Sequence, residues 1–171
     1  NNWHKTHNAN MAEFGGYEMP LWYPAGTRQE HLAVIRTAGL FDTSHMACLI
    51  VSGSHAFELL QLTFSRDLAV WNGKHGRPMP EGRCVYGVFL NPSCEVIDDA
   101  LVYRIAADIY MVVVNAGMGK TIAEHLNASK IDQEVTIQDL TDQVGKIDIQ
   151  GPLAAKILAR LLPEPEEVLM D

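Results

Sequence analysis

The stretch Cys84-Val-Tyr-Gly-Val-Phe-Leu-Asn-Pro-Ser-Cys-Glu-Val-Ile-Asp-Asp-Ala-Leu-Val-Tyr-Arg-Ile-Ala-Ala-Asp-Ile-Tyr-Met-Val-Val-Val114 decides the fold. It holds three runs rich in β-branched and aromatic residues, at 84–90, 96–105 and 109–114. Such side chains suit a pleated, half-buried surface. Asn91-Pro92-Ser93 turns the first run into the second, and Ala107-Asp108 turns the second into the third. Both turns use residues that bend the chain locally. Three neighbouring strands joined by short turns predict an antiparallel meander.

Before the meander, Cys48–Val51 reads as an apolar strand ended by Gly53. Ser54 then caps a helix that buries Ala56, Phe57, Leu59 and Leu60. Residues 70–82 carry three glycines and two prolines and read as a loop. After the meander, 118–128 reads as a helix, with strands at 134–140 and 146–150. Gly151-Pro152 opens a last helix with Pro at its first position. Its apolar face is Leu153, Ile157, Leu161 and Ala154, Leu158, Leu162. At the other end, the aromatic, Gly- and Pro-rich residues 1–27 predict an irregular segment. Thr27 and Glu30 have the spacing of a capping box for a helix over 28–38, with Gly39 just past its end.

One echo links the two ends. Leu49-Ile-Val-Ser-Gly-Ser-His-Ala-Phe-Glu-Leu-Leu and Ile147-Asp-Ile-Gln-Gly-Pro-Leu-Ala-Ala-Lys-Ile-Leu both read as strand, glycine, turn and amphipathic helix. The echo suggests two related α+β units with the meander between the copies.

The chain has 171 residues, of which 47% are hydrophobic and 20% charged, which is ordinary globular composition. No apolar run approaches the roughly 18 residues of a membrane span. A net charge of −8 and the absence of a Lys/Arg cluster argue against nucleic acid. The three cysteines, Cys48, Cys84 and Cys94, form neither a disulfide framework nor a CxxC pair. The seven histidines form no HExxH, so no metal site is expected.

Asp98-Asp99 lies inside an apolar strand. Strand alternation sends the two to opposite faces, which excludes a paired-carboxylate dyad. A carboxylate among apolar neighbours is either held by donors or used chemically. The plainer reading is an Asp that accepts backbone N–H groups. Asn115 closes the strand Met111–Val114 as a turn residue, or offers its amide to a flat heterocycle.

Six segments occur together: Phe14-Gly-Gly-Tyr-Glu-Met-Pro-Leu, Glu30-His-Leu-Ala-Val, Gly39-Leu-Phe-Asp-Thr-Ser-His-Met, Val96-Ile-Asp-Asp-Ala-Leu-Val-Tyr, Val113-Val-Asn-Ala and Gln150-Gly-Pro. In this order they resemble the glycine cleavage system T-protein (aminomethyltransferase) family, in its N-terminal half. The resemblance implies an α+β fold, with mixed and antiparallel sheets and flanking helices, as part of a three-domain folate-binding architecture. It places a first, incomplete domain in 1–47 plus 140–171 and an inserted domain in 48–139, with the third domain absent. A fragment of that kind is expected to be inactive alone and to expose apolar surface.

The implied activity is transfer of a one-carbon unit from the aminomethyl-lipoyl arm of the H-protein to tetrahydrofolate, with release of ammonia. Tetrahydrofolate is the acceptor substrate and lipoylated H-protein the partner, without metal, nucleic acid or membrane. The resemblance leaves bacterial cytoplasm and mitochondrial matrix both open. By position, Asp98 matches the catalytic aspartate, and also a folate contact. Met46 matches a pterin-pocket residue, and Asn115 and Tyr103 fall where folate is bordered. Asp99 matches the second acid. One departure is Cys94-Glu95 where the family has Gly-Gly. It leaves room for a folate-dependent demethylase paralogue; a non-catalytic folate-binding or regulatory module is a second alternative.

Overall fold

The computed structural model describes residues 1–71, 73–74, 76–130 and 134–163. The chain divides into two units, Asn1–Thr43 with Lys146–Asp171, and Ser44–Gly145. The sequence reading places these boundaries at 47 and 140, and residues 164–171 lie outside the described residues.

In the unit Ser44–Gly145 the meander forms with strands β5 (Arg83–Leu90), β6 (Val96–Ala106) and β7 (Ile109–Val114). Strands β4 (Ala47–Ser52) and β8 (Thr136–Asp139) complete a five-stranded sheet ordered β5-β6-β7-β4-β8, with every pair antiparallel. Alternation sorts its side chains. Leu49, Val51, Val102, Val112, Val114 and Phe89 point to one face and are fully buried. There they pack in one core with Leu59 and Leu60 of helix α3 (Ala56–Thr63) and Ile122 and Leu126 of helix α4 (Gly119–Ala128). Each such side chain contributes about 1.5–3 kcal/mol on burial, so this layer holds the unit together. The other face is more open and carries Tyr86, Asp99, Tyr103 and Met111.

In the unit Asn1–Thr43 with Lys146–Asp171, helix α1 (Asn2–Thr6) precedes a hairpin of β1 (Asn10–Phe14) and β2 (Tyr17–Trp22). The segment read as irregular is therefore ordered. Gly15 and Gly16, both with positive φ (58° and 85°), form the two-residue loop that such hairpins favour. Helix α2 (Thr27–Arg36) follows, capped by Gly26 and not by Thr27. Glu30 instead reaches back past the cap and accepts the Tyr23 N–H at 2.7 Å. Strand β3 (Gly39–Asp42) pairs antiparallel with β9 (Ile147–Gln150). Helix α5 is short, Ala154–Leu158, and Pro152 stands before it in the turn and not at its first position. Leu153, Ile157 and Leu161 of the expected apolar face are exposed.

His4 is buried, with Nδ1 2.7 Å from the Tyr23 hydroxyl and Nε2 3.1 Å from Asp42 Oδ2. Burial, then the charges of Glu30 and Asp42, push the Tyr23 phenol up, so it stays a donor. That leaves His4 Nδ1 as acceptor and Nε2–H as donor to Asp42, which ties α1 to β3 and to the residue just past β2.

The echo has a structural counterpart. Gly53 after β4 and Gly151 after β9 adopt nearly the same backbone, φ 127° and 123°, each leading through a turn into a helix. A Cβ on Gly53 would lie 2.0 Å from the Glu134 carbonyl oxygen; on Gly151 it would lie 2.5 Å from that of Val34. Both glycines serve one need, a left-handed turn pressed against another backbone.

Candidate folate site

Strand β7 ends at Val114, and the chain turns at Asn115, whose carbonyl accepts the Met118 N–H at 3.1 Å before α4 starts. This puts the Asn115 amide at the end of the sheet, next to the start of β6. Its side-chain Nδ2 donates to Asp98 Oδ1 and to Asp99 Oδ1, both at 2.8 Å. Its backbone N–H donates to Asp98 Oδ2 at 3.0 Å. One residue thus holds both acids, and Asp98 accepts through both oxygens. The acceptor role read for Asp98 from its strand setting is realised in part by a backbone N–H.

Alternation sets the two acids on opposite faces of β6, and Asn115, at the end of the neighbouring strand, reaches both. The β5–β6 register shifts between Phe89 and Leu90: Phe89 pairs with Asp98, but Leu90 pairs with Val96. Ile97 is the extra residue of a bulge, and Asp98 and Asp99 lie past it, paired in regular register with Phe89 and Val88. Both carboxylates, half-buried, reach the same amide.

Tyr86 joins the cluster from β5. Val88 pairs with Asp99 and Tyr86 with Leu101, so Tyr86 and Asp99 share a face as diagonal neighbours. The Tyr86 hydroxyl donates to Asp99, and this bond, followed by the charge of Asp99, holds the phenol above its ordinary range. It is a protonated donor at neutral pH. Sequence reasoning passes over Tyr86, because an aromatic on a strand carries no mark until the register to β6 is known.

Met46 is half-buried and immediately precedes β4, where Ala47 pairs with Val114. Continuing that register sets Met46 beside Asn115. Tyr103 is also half-buried and on the Asp99 face, paired with Cys84 and Met111. It lies four residues along β6 from Asp99, about 13 Å at strand rise, so it borders the cluster from a distance. Asp98, Asp99, Asn115 and Met46 gather at one end of the sheet; Tyr103 stands apart.

Cys94-Glu95 lies in the turn between β5 and β6. Cys94 has φ 63°, the left-handed conformation that glycine adopts most readily. The Glu95 carboxylate accepts the Asn91 side-chain amide at 2.7 Å, and Asn91 Oδ1 accepts the backbone N–H groups of Ser93 and Glu95. These contacts hold the turn without glycine.

A site of this kind suits a flat heterocycle rich in N–H groups. Two carboxylates offer acceptors, and Asn115 keeps a carbonyl oxygen for a ligand donor. Met46 adds an apolar wall. Among the described residues, no three His, Cys, Asp or Glu side chains gather closely enough to hold a metal ion.

The chain resembles known proteins along nearly its whole length. The aminomethyltransferase of Chlorobium chlorochromatii (strain CaD3) is 41% identical over 162 residues, covering 94% of this chain and 42% of the relative. That of Koribacter versatilis (strain Ellin345) is 34% identical over 160 residues, 92% of this chain and 40% of the relative. The chain therefore spans about two fifths of the length of these relatives. Among solved structures, glycine cleavage system aminomethyltransferase T from Bartonella henselae superposes with a TM-score of 0.81 at 31% identity, over 93% of this chain and 41% of that one. Heterotetrameric sarcosine oxidase from Corynebacterium sp. U-96 shares the fold alone, at a TM-score of 0.50 and 15% identity over 82% of this chain and 67% of that one. The GCVT N-terminal domain profile matches residues 1–168, a span that holds the whole acid–amide cluster, and the chain belongs to that family.

Proposed function

We propose that this chain supplies the acid cluster of a tetrahydrofolate-dependent aminomethyltransferase of the glycine cleavage system. The observation that carries the reading is Asp98, a carboxylate gripped through both oxygens by Asn115 at the end of an apolar sheet. The names of the relatives support it. In the proposed reaction, the one-carbon unit leaves the lipoyl sulfur of the H-protein and its own amine, so a C–S and a C–N bond break. Bonds from that carbon to N5 and N10 of tetrahydrofolate form, and the protons of N5 and N10 pass to the sulfur and to the departing ammonia. The products are dihydrolipoyl H-protein and 5,10-methylene-tetrahydrofolate. Positive charge develops on the carbon during transfer.

The role of Asp98 is to face that charge from a fixed position, at no cost of reorganisation. Asn115 prevents it from turning away. Two opposite charges about 4 Å apart gain about 1 kcal/mol in water and about 4 at an effective dielectric of 20. This is a rate effect of roughly fivefold to a thousandfold. Asp99, held by Asn115 and Tyr86, is left to bind ring N–H groups. Met46 and Tyr103 shape the slot. The bacterial relatives fit a cytoplasmic enzyme; among the described residues, no helix is long and apolar enough to cross a membrane.

The test is Asp98→Asn in the complete gene product, assayed with lipoylated H-protein and tetrahydrofolate. Asn at this position still accepts the Asn115 backbone N–H, so the fold should persist. Turnover should fall about fivefold to a thousandfold. Unchanged turnover refutes the assignment.

A further inference from the structure

Strand β5 is the outermost strand of its sheet, and its outer edge is covered only in part. Phe64 bridges Phe89 in antiparallel sense, and beside that bridge Ser65 closes one rung. The Ser65 N–H donates to the Val88 carbonyl, and Ser65 Oγ accepts the Val88 N–H, both at 2.9 Å. Val88 therefore turns its main-chain groups outward. In an antiparallel strand that direction alternates, so Tyr86 and Cys84 also turn theirs outward, while Gly87 and Val85 bond to β6. Cys84 and Tyr86 are exposed, and among the described residues nothing pairs with their outward N–H and C=O groups.

The covering chain leaves the edge at this point. A Cβ on Gly87 would fall 2.6 Å from Phe64 Cζ and 2.7 Å from Arg66 Cγ, so Phe64 and Arg66 press against bare backbone there. Past Arg66 the chain turns away under the hold of Gln61. Its Oε1 accepts the Leu68 N–H at 2.8 Å, and its Nε2 donates to Asp67 Oδ1 at 2.9 Å. The gap that opens is a cavity of about 720 Å³, bounded by Cys84, Val85 and Tyr86 and by Leu68, Trp71 and Met79. Leu68 and Met79 are buried, and the Met79 N–H donates to the Leu68 carbonyl at 2.9 Å, so this wall is fixed. Arg66 and Asp67 also line the cavity, and their charges offset each other.

We propose that this slot binds an extended peptide segment of a partner protein, which pairs with Tyr86 and Cys84 and adds a strand to the sheet. The segment continues the course that Phe64 and Ser65 begin, antiparallel to β5. The free edge groups supply affinity through the main chain, and the wall sorts the side chains. The residue between the two rungs shares the face of Val85, which packs on the core that holds Leu68 and Met79. That residue is therefore apolar. With the two lining charges offset, charge does not select the segment. A second copy of this chain fits poorly. Its own β5 has β6 behind it, and the capped Val88 leaves two rungs about 7 Å apart, too short an edge for sheet-to-sheet pairing. The proposal is independent of the folate reading.

A phage-displayed library of random heptapeptides is selected on the chain, and the most enriched peptide is synthesised and titrated calorimetrically. N-methylation is then walked along its backbone. Two amides, two residues apart, should each cost about fivefold to tenfold in affinity, one hydrogen bond apiece; the amide between them should cost less than about twofold. Cys84→Pro removes one outward N–H where an edge strand tolerates proline, and should weaken the peptide by the same factor with circular dichroism unchanged. Should that variant not fold, amide hydrogen exchange on the unaltered chain decides. Cys84 and Tyr86 should exchange faster than Val85 and Gly87, and the bound peptide should slow them at least about tenfold. Absence of any enriched peptide, a methylation profile without alternation, or unchanged exchange at Cys84 and Tyr86 overturns the proposal. Concentration-dependent dimerisation that Cys84→Pro abolishes overturns it too, by giving the edge to a second copy.

Discussion

Asn115→Asp is the sharpest probe of the acid cluster. The change is nearly isosteric. It replaces an amide that donates to Asp98 and Asp99, both at 2.8 Å, with a third carboxylate. Two hydrogen bonds are lost, each worth about 1 kcal/mol net. Two like-charge pairs appear, worth about 1 kcal/mol each in water and about 4 each at an effective dielectric of 20. Asn115 is exposed, so solvent screens the pairs and the lower figure, about 1 each, applies. The sum is a loss of about 4 kcal/mol at pH 7. Asn115→Ala removes only the two bonds and keeps the backbone donor to Asp98, so it should lose about 2 kcal/mol. The pH dependence separates the two. As pH falls through the carboxylate range, one proton shared among three acids restores a donor, and the Asp variant should approach the Ala variant. The loss of Ala should stay nearly constant. Urea unfolding followed by tryptophan fluorescence at pH 7 and pH 4.5 reads all four values. An Asp variant as stable as the Ala variant at pH 7 would show that the acids can swing clear of residue 115. The cluster would then be no fixed array, and the mechanism built on it would fail.

Two further predictions concern the backbone. Gly53→Ala places a methyl 2.0 Å from the Glu134 carbonyl at φ 127°, so the segment leading into β8 must shift. Thermal or urea unfolding should show a loss above about 3 kcal/mol, well beyond the roughly 1 kcal/mol typical of point substitutions; a loss near 1 would mean that the close approach relaxes freely. Cys94→Gly relieves a side chain held at φ 63° and should raise stability by about 0.5–1 kcal/mol in the same assay, with any decrease refuting strain at that turn.

The meander was legible because two short turns of distinctive residues separate three β-rich runs, and local signals suffice for such pairing. The β1–β2 hairpin was not. Gly15-Gly16 excludes a helix, but the same pair also makes a tight hairpin loop, and the flanking residues show no clean alternation to choose between them. Glu30 shows the limit of spacing rules: three residues from Thr27 it fits a box, yet the nearer need was the Tyr23 N–H. In the site, Asp98 and Asn115 stood out by type and position. The reach of Asn115 to Asp99 as well did not, because it depends on the β6–β7 register, which brings the end of β7 beside the start of β6. Tyr86 needed the strand register before it could be seen at all.

The order of the segments along the chain has a consequence for how the protein folds. Strands β3 and β9 pair although Thr43 and Lys146, at their edge, are 103 positions apart. Closing so long a loop in an unstructured chain costs about 4 kcal/mol beyond the fixed terms. The unit between them brings its own ends together: Ser44 Oγ lies within 3.6 Å of where a Cβ on Gly145 would be. Once that unit has formed, most of the closure is already made, and β9 meets β3 as a near neighbour. The middle of the chain should therefore protect its amides first in pulse-labelled refolding, with β3 and β9 following as a late, fast step.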